Sequence, residues 1–214
     1  MEERINDQIK KGTTTVGIMC KDGIVLAADM RATAGSLIVT KNTDKVVKIN
    51  DDIAVTMAGS VSDAQLLIKL IRAELKLREV RVGRRQTVRE AANLLGSMVY
   101  DNIRRMSMLP GIAHFLLGGR DDTGFYVYDI YPDGSVTLVD DYVSSGSGSV
   151  MAFGVLETLY DKNLSIDEGV KLATKSISAA LQRDVNTGNG INVFTITEKG
   201  IVRVKHQELN TRLD

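Results

Sequence analysis

Apolar and polar positions alternate in short bursts along the first quarter of the chain. Residues 14–20, 24–29, 37–40, 45–49 and 53–58 are rich in Val, Ile and Thr and are separated by Gly or Asn-Asp breaks. That pattern predicts a meander of strands. The period then changes. Leu66, Leu67, Leu70 and Ile71 recur at helical spacing, as do Ala91, Leu94, Leu95, Met98 and Val99, which predicts two helices each packed by one face. Ser62-Asp63-Ala64-Gln65 and Thr87-Val88-Arg89-Glu90 match the capping box, a hydroxyl residue followed three places on by Gln or Glu. Strands are predicted again at 113–118, 125–131 and 135–139, with Pro132-Asp133-Gly134 as the turn between the last two. A Ser/Gly loop over 144–149 leads into an apolar helix through Phe153, Leu156 and Leu159. Ser165-Ile166-Asp167-Glu168 caps another helix that runs to about residue 183, and strands at 191–197 and 201–205 close the chain.

Strands, two helices, strands, two helices, strands is not the alternation of a parallel βαβ fold. It predicts an α+β architecture, two stacked and mainly antiparallel sheets between two helix layers. No linker divides the 214 residues, so a single domain is expected.

Composition removes several classes of function. Lys plus Arg and Asp plus Glu both number 27, so there is no basic surplus for nucleic acid. No apolar run approaches the ~20 residues that span a bilayer. The charged first twelve residues lack the apolar segment of a secretory signal, so a cytoplasmic location is expected. Cys20 is the only cysteine, which excludes an intrachain disulfide and a thiolate zinc cluster and favours a buried core thiol. His114 and His206 lack the i, i+4 spacing of a helical metal site, so both read as structural and no metal is expected. Gly146-Ser147-Gly148 resembles the start of a dinucleotide fingerprint, but Met151 stands at the third glycine and no Walker lysine pattern occurs, so no cofactor is expected. Consecutive backbone N–H groups at a helix start can instead stabilise an oxyanion or orient a water. Ser145, Ser147 and Ser149 do not form a nucleophile elbow.

The informative segment is Gly12-Thr13-Thr14-Thr15-Val16-Gly17, behind a short charged leader. On composition alone three threonines begin a strand. A second reading asks what could act as general base in a chain with two scattered histidines. A free α-amino group titrates near ~7.7 to 8.0, so an N-terminal threonine would join nucleophile and base in one residue. Cleavage after Gly12 would create it.

These residues resemble the archaeal-type proteasome β subunits, of the N-terminal nucleophile hydrolase class. Gly12 to Gly17 resembles the family's processing site, Ala27-Ala28-Asp29-Met30-Arg31 its acidic strand end and Lys45 its buried lysine. Met57-Ala58-Gly59, Asp63-Ala64-Gln65, Ser145-Gly146-Ser147-Gly148-Ser149, Gly154-Val155-Leu156-Glu157, Asp167-Glu168-Gly169-Val170 and Gln182-Arg183-Asp184 extend the match from about residue 12 to 197. The resemblance implies a four-layer αββα sandwich, a propeptide of residues 1–12 removed by self-cleavage and a peptidase domain over 13–214. It makes Thr13 the nucleophile and, through its freed amine, the base. Asp29 and Lys45 become the charged pair beside it, and Gly59 the oxyanion donor. Ser147, Asp184 and Thr187 would surround the amine, and Met57 would line the specificity pocket and favour apolar residues. Implied partners are α-type subunits, further β subunits in stacked seven-membered rings, unfolded polypeptides and an ATP-dependent unfoldase. The alternative is a structural β-type subunit that cleaves little. Arg78, Arg81, Arg84 and Arg85 form a basic cluster that could meet a neighbour or lie in a solvated loop. After Arg183-Asp184 the family usually has Ser-Ala-Ser-Gly, whereas this chain has Val185-Asn186-Thr187-Gly188, and Asn192 stands at a common Asp. Thr187 keeps the hydroxyl but restricts its rotamer, which weakens or re-aims its hydrogen bond. Loss of charge at Asn192 bears on substrate contacts across subunits.

Overall fold

The computed structural model describes residues 12–107 and 110–209; residues 1–11 of the expected propeptide lie outside the described residues. In chain order the elements are β1 (Thr15–Cys20), β2 (Gly23–Asp29), β3 (Ala32–Ala34), β4 (Leu37–Thr40), β5 (Val46–Lys48) and β6 (Ile53–Gly59), then α1 (Val61–Val82) and α2 (Val88–Ile103). They continue with β7 (Ala113–Asp121), β8 (Gly124–Ile130), β9 (Val136–Val139), β10 (Tyr142–Ser145), α3 (Ser149–Leu159), α4 (Ile166–Arg183), β11 (Gly190–Thr197) and β12 (Gly200–Glu208). One five-stranded sheet has the order β10-β1-β2-β11-β12 and a second the order β5-β6-β7-β8-β9, while β3 and β4 form a small two-stranded sheet, and every neighbouring pair is antiparallel.

Alternation along the strands sorts the apolar side chains into three layers. Ile24, Leu26 and Ala28 of β2 meet Ala54, Leu116 and Val127 between the sheets. Val25 and Ala27, on the other face, pack with Leu156, Leu172 and Ile177 of α3 and α4. Val55, Phe115 and Leu117 pack with Leu67, Ile71, Leu95 and Val99 of α1 and α2. Because both faces of β2 are covered, it reads as a continuous apolar run. The result is the expected αββα sandwich. Cys20 is part of the α3–α4 side, and burial, reinforced by Asp22 and Glu168, pushes its thiol up to about 12, which leaves it inert.

Two capping boxes form as expected, at Thr87 with Glu90 and at Ser165 with Glu168. The one expected at Ser62 does not. Ser60 is the N-cap of α1 without a side-chain bond, and Ser62 lies inside the first turn. The expected stripe of α1 is also split, since Leu67 and Ile71 are buried whereas Leu66 and Leu70 are exposed. Ala64, Ile68 and Leu75 complete the buried face, so apolar residues lie on two sides of this helix. Part of the expected Ser/Gly loop is strand β10, which pairs Ser145 with Thr15.

Candidate active site

Thr13 sits two residues before β1, where the antiparallel register of β1 and β2, continued by one residue, places Thr14 beside Asp29 at the end of β2. The Asp29 N–H donates to the Thr14 carbonyl at 3.1 Å, and the Thr14 N–H donates to Asp29 Oδ1 at 3.0 Å. Lys45 enters from the second sheet, just before β5, where its carbonyl accepts the Met57 N–H at 2.9 Å. Its Nζ reaches Asp29 Oδ1 at 2.7 Å and Thr13 Oγ1 at 2.8 Å. The Thr13 hydroxyl donates to the Gly12 carbonyl at 2.7 Å. The sandwich thus brings residues 12, 13, 29 and 45 together from three strand ends.

The cluster is shielded from solvent. Side-chain exposure is 4% for Lys45 and 0% for Asp29, and Thr13 is 5% exposed in the uncut chain. Burial pulls the Lys45 ammonium below the usual lysine range; Asp29 and Asp184 oppose that fall and Arg31 adds to it. Asp29 supplies the compensation a buried cation requires. Its carboxylate also accepts from the Arg31 and Gly188 N–H groups, each at 3.0 Å, so it knits the strand end to the loop after α4.

Ser147, Asp184 and Thr187 come together beside this pair. The hydroxyls of Ser147 and Thr187 both donate to Asp184 Oδ2 at 2.5 Å, and the Thr187 hydroxyl lies 2.6 Å from that of Thr14. In the uncut chain Thr187 therefore bonds Thr14 and Asp184. Gly146, at φ 91, approaches Thr13 so closely that a Cβ there would lie 2.0 Å from the Thr13 carbonyl oxygen. The N–H of Gly148 points to that same oxygen at 3.4 Å. The Ser/Gly segment is a cradle for Thr13 rather than a nucleotide loop.

Gly59 ends β6 at φ 96, where a Cβ would meet the Ile112 carbonyl at 2.4 Å. Strand N–H groups two apart face the same edge. Since the Met57 N–H faces Lys45, alternation directs that of Gly59 to the same edge of β6. Met57 packs in the layer between β6, α1 and α2 and is 7% exposed. Asn192 is 1% exposed and bonds within the chain, its Oδ1 accepting from His206 Nδ1 at 2.7 Å and its Nδ2 donating to Asp44 Oδ1 at 3.2 Å. It anchors the residue before Lys45, a role that its strand position did not reveal.

The charged groups elsewhere are largely self-satisfied. Arg84 pairs with Glu90, Arg78 with Glu74, and Arg85 with Asp51 and Asp52, so most of the basic cluster is neutralised within the chain. A cleft of about 900 Å³ lined by Asp52, Arg84, Arg85, Arg120, Asp121 and Glu198 lies at the other end of β6 from Gly59. A seven-residue strand spans roughly 20 Å, so this concavity is separate from Thr13. Its arginines are already occupied by Asp52, Glu90 and Glu198. Among the described residues no helix is long and apolar enough to cross a membrane, and no group of His, Cys, Asp and Glu could hold a metal ion.

Two antiparallel sheets between helix pairs form the four-layer sandwich of the N-terminal nucleophile hydrolase fold. A family model described as "Proteasome subunit" matches residues 9–196, and the chain belongs to that family. It is 43% identical over 210 residues to a proteasome subunit beta of Ferroglobus placidus, covering 98% of each chain. It is 40% identical over 208 residues to that of Methanopyrus kandleri, covering 97% of this chain and 98% of the relative. It is 43% identical over 205 residues to that of Methanothermobacter thermautotrophicus, covering 95% of each.

Proposed function

We propose that this chain is a β-type subunit of a proteasome core and a threonine endopeptidase whose nucleophile, Thr13, is freed by self-cleavage after Gly12. One observation carries the reading. Thr13 Oγ1 lies 2.8 Å from the Lys45 ammonium and 2.7 Å from the carbonyl oxygen of the peptide to be cut. In self-cleavage the Thr13 oxygen bonds to the Gly12 carbonyl carbon, the C–N bond breaks and the hydroxyl proton ends on the Thr13 nitrogen. Water then hydrolyses the ester and restores the hydroxyl. The freed amine becomes the base that an amide nitrogen cannot be. In turnover it takes the Thr13 proton as the oxygen attacks the substrate carbonyl, and passes a proton to the departing amine. The Lys45 charge favours the developing alkoxide, and the Gly59 N–H meets the oxyanion. Ser147, Asp184 and Thr187 hold the amine. A purely structural subunit would have no use for a buried ammonium aimed at a hydroxyl.

Residues 1–12 are then a propeptide and 13–214 the working domain. Membership of the family supports assembly with α-type subunits and other β subunits in stacked seven-membered rings, in the cytoplasm, supplied with unfolded chains by an ATP-dependent unfoldase.

Peptide hydrolysis by the assembled particle tests this reading across pH. The rate should rise as the amine loses its proton, near ~7.7 to 8.0 for an unperturbed group. It should fall again as Lys45 loses its proton, and because burial lowers that group's pKa the fall should begin below the ordinary lysine range. A rate that stays level through that range would contradict a role for the ammonium. Met57 of β6 is taken to line the primary pocket, so peptides cut after Leu or Tyr should outpace those cut after Arg or Glu. A preference for Arg or Glu would remove Met57 from that role.

A further inference from the structure

Gly12 is held on two sides. Its N–H donates to Thr33 Oγ1 at 3.4 Å, and the same hydroxyl donates to Asn186 Oδ1 at 3.4 Å. A hydroxyl can accept and donate at once, so the three groups form one directed chain. Both links are long, and the stronger constraint is steric. A Cβ on Gly12 would lie 1.6 Å from Asn186 Cβ, 2.5 Å from its Cγ and 2.8 Å from Ser147 Oγ. Carbon atoms in contact stand about 3.5 to 4.0 Å apart. The obstructing atom is the first side-chain carbon of Asn186, whose position its own backbone sets, so no rotamer change removes it.

That backbone has little room to retreat. The Asn186 N–H donates to Asp184 Oδ1 at 3.3 Å, the Thr187 N–H to the Asp184 carbonyl at 3.2 Å, and the Thr187 hydroxyl to Asp184 Oδ2 at 2.5 Å. Arg31 braces the loop from outside, through the Val185 carbonyl at 2.7 Å and Asn189 Oδ1 at 2.8 Å.

From this packing we infer that Asn186 is a positioning residue for self-cleavage: its side chain walls the space beside Gly12, restricts that position to glycine and, through Thr33, holds the Gly12 peptide against the Thr13 hydroxyl. The inference rests on the self-cleavage reading above. Once the leader has gone, the wall has nothing left to hold. Asn186 therefore acts on maturation and not on peptide turnover, which separates it from Lys45 and Asp29.

The test follows leader loss by intact mass in assembling particles. Gly12→Ala should be processed on the order of 100-fold more slowly, the scale expected when reacting groups are displaced by about an ångström. Adding Asn186→Gly to that variant should recover much of the loss, because it removes the obstructing carbon. Adding Asn186→Ala should not, because it keeps that carbon. Particles supplied without the leader should hydrolyse peptides at about the wild-type rate with Asn186→Gly or Asn186→Ala, as expected of a side chain that meets Gly12 of the leader and the Thr33 hydroxyl. Wild-type speed in Gly12→Ala, or no gain in Gly12→Ala/Asn186→Gly, overturns the inference. A wild-type particle that keeps its leader, or a Thr13→Ala particle that loses it, overturns the self-cleavage reading instead.

Discussion

Lys45→Ala should fold and assemble, retain its leader, and as a leaderless particle hydrolyse peptides on the order of 100-fold more slowly or worse. The expectation follows from where the ammonium stands. Its Nζ is 2.8 Å from Thr13 Oγ1 in a site where Lys45 is 4% exposed, so water does not screen the charge as it would at a surface. An exposed Lys–Asp pair would be worth only ~0 to 1 kcal/mol, and its loss would leave the rate almost unchanged. Lys45→Arg should also fail, because a planar guanidinium cannot take the place of a compact ammonium between Thr13 and Asp29. N-terminal sequencing of the assembled variants reports processing, and fluorogenic peptide hydrolysis by leaderless particles reports turnover. Near wild-type hydrolysis by leaderless Lys45→Ala would make the lysine structural.

Asp29→Asn should damage the subunit in two ways. The carboxylate accepts from Lys45 Nζ and from the N–H groups of Thr14, Arg31 and Gly188, at 2.7 to 3.0 Å. An amide of the same shape carries donors of its own, so it cannot accept from all of these, and the Lys45 charge loses its compensation. Breaking a buried pair by removing one partner costs about 3 to 5 kcal/mol. Lys45 can relieve part of that by releasing its proton, since burial already lowers its pKa, but the neutral amine no longer stabilises an alkoxide. The expected result is a subunit of lower thermal stability that neither processes nor hydrolyses at a useful rate. Unfolding of leaderless Asp29→Asn beside the wild type, with hydrolysis on the same samples, checks both. Unchanged stability together with unchanged rate would show that the pair holds neither the fold nor the site.

Part of this candidate site was legible along the chain. Glycine followed by three threonines stands out without a structure, whereas Asp29 and Lys45, the latter one of three lysines within residues 41–48, were marked by the family resemblance and by no local signal of their own. The layers were legible too, because period changes cleanly from strand to helix and back. What escaped depended on contacts between distant residues. Leu66 and Leu70 have the same spacing as the buried Leu67 and Ile71, and a helix with apolar residues on two sides gives no periodic cue to which side is covered. Strand β10 hid in a Ser/Gly segment because its pairing is set by β1, not by its own side chains. Asn192 meets Asp44 across 148 positions and Thr33 meets Asn186 across 153. No spacing rule connects residues so far apart, and only the closed sandwich brings them within reach.

The central claim, that Thr13 becomes an N-terminal nucleophile by self-cleavage, is tested most directly by the intact mass of the β-type chain taken from an assembled wild-type particle. The account predicts loss of residues 1–12 and a chain of 214 − 12 = 202 residues beginning at Thr13. An active particle in which the chain still carries its leader would contradict it, because the Thr13 nitrogen would then be an amide with no basic lone pair.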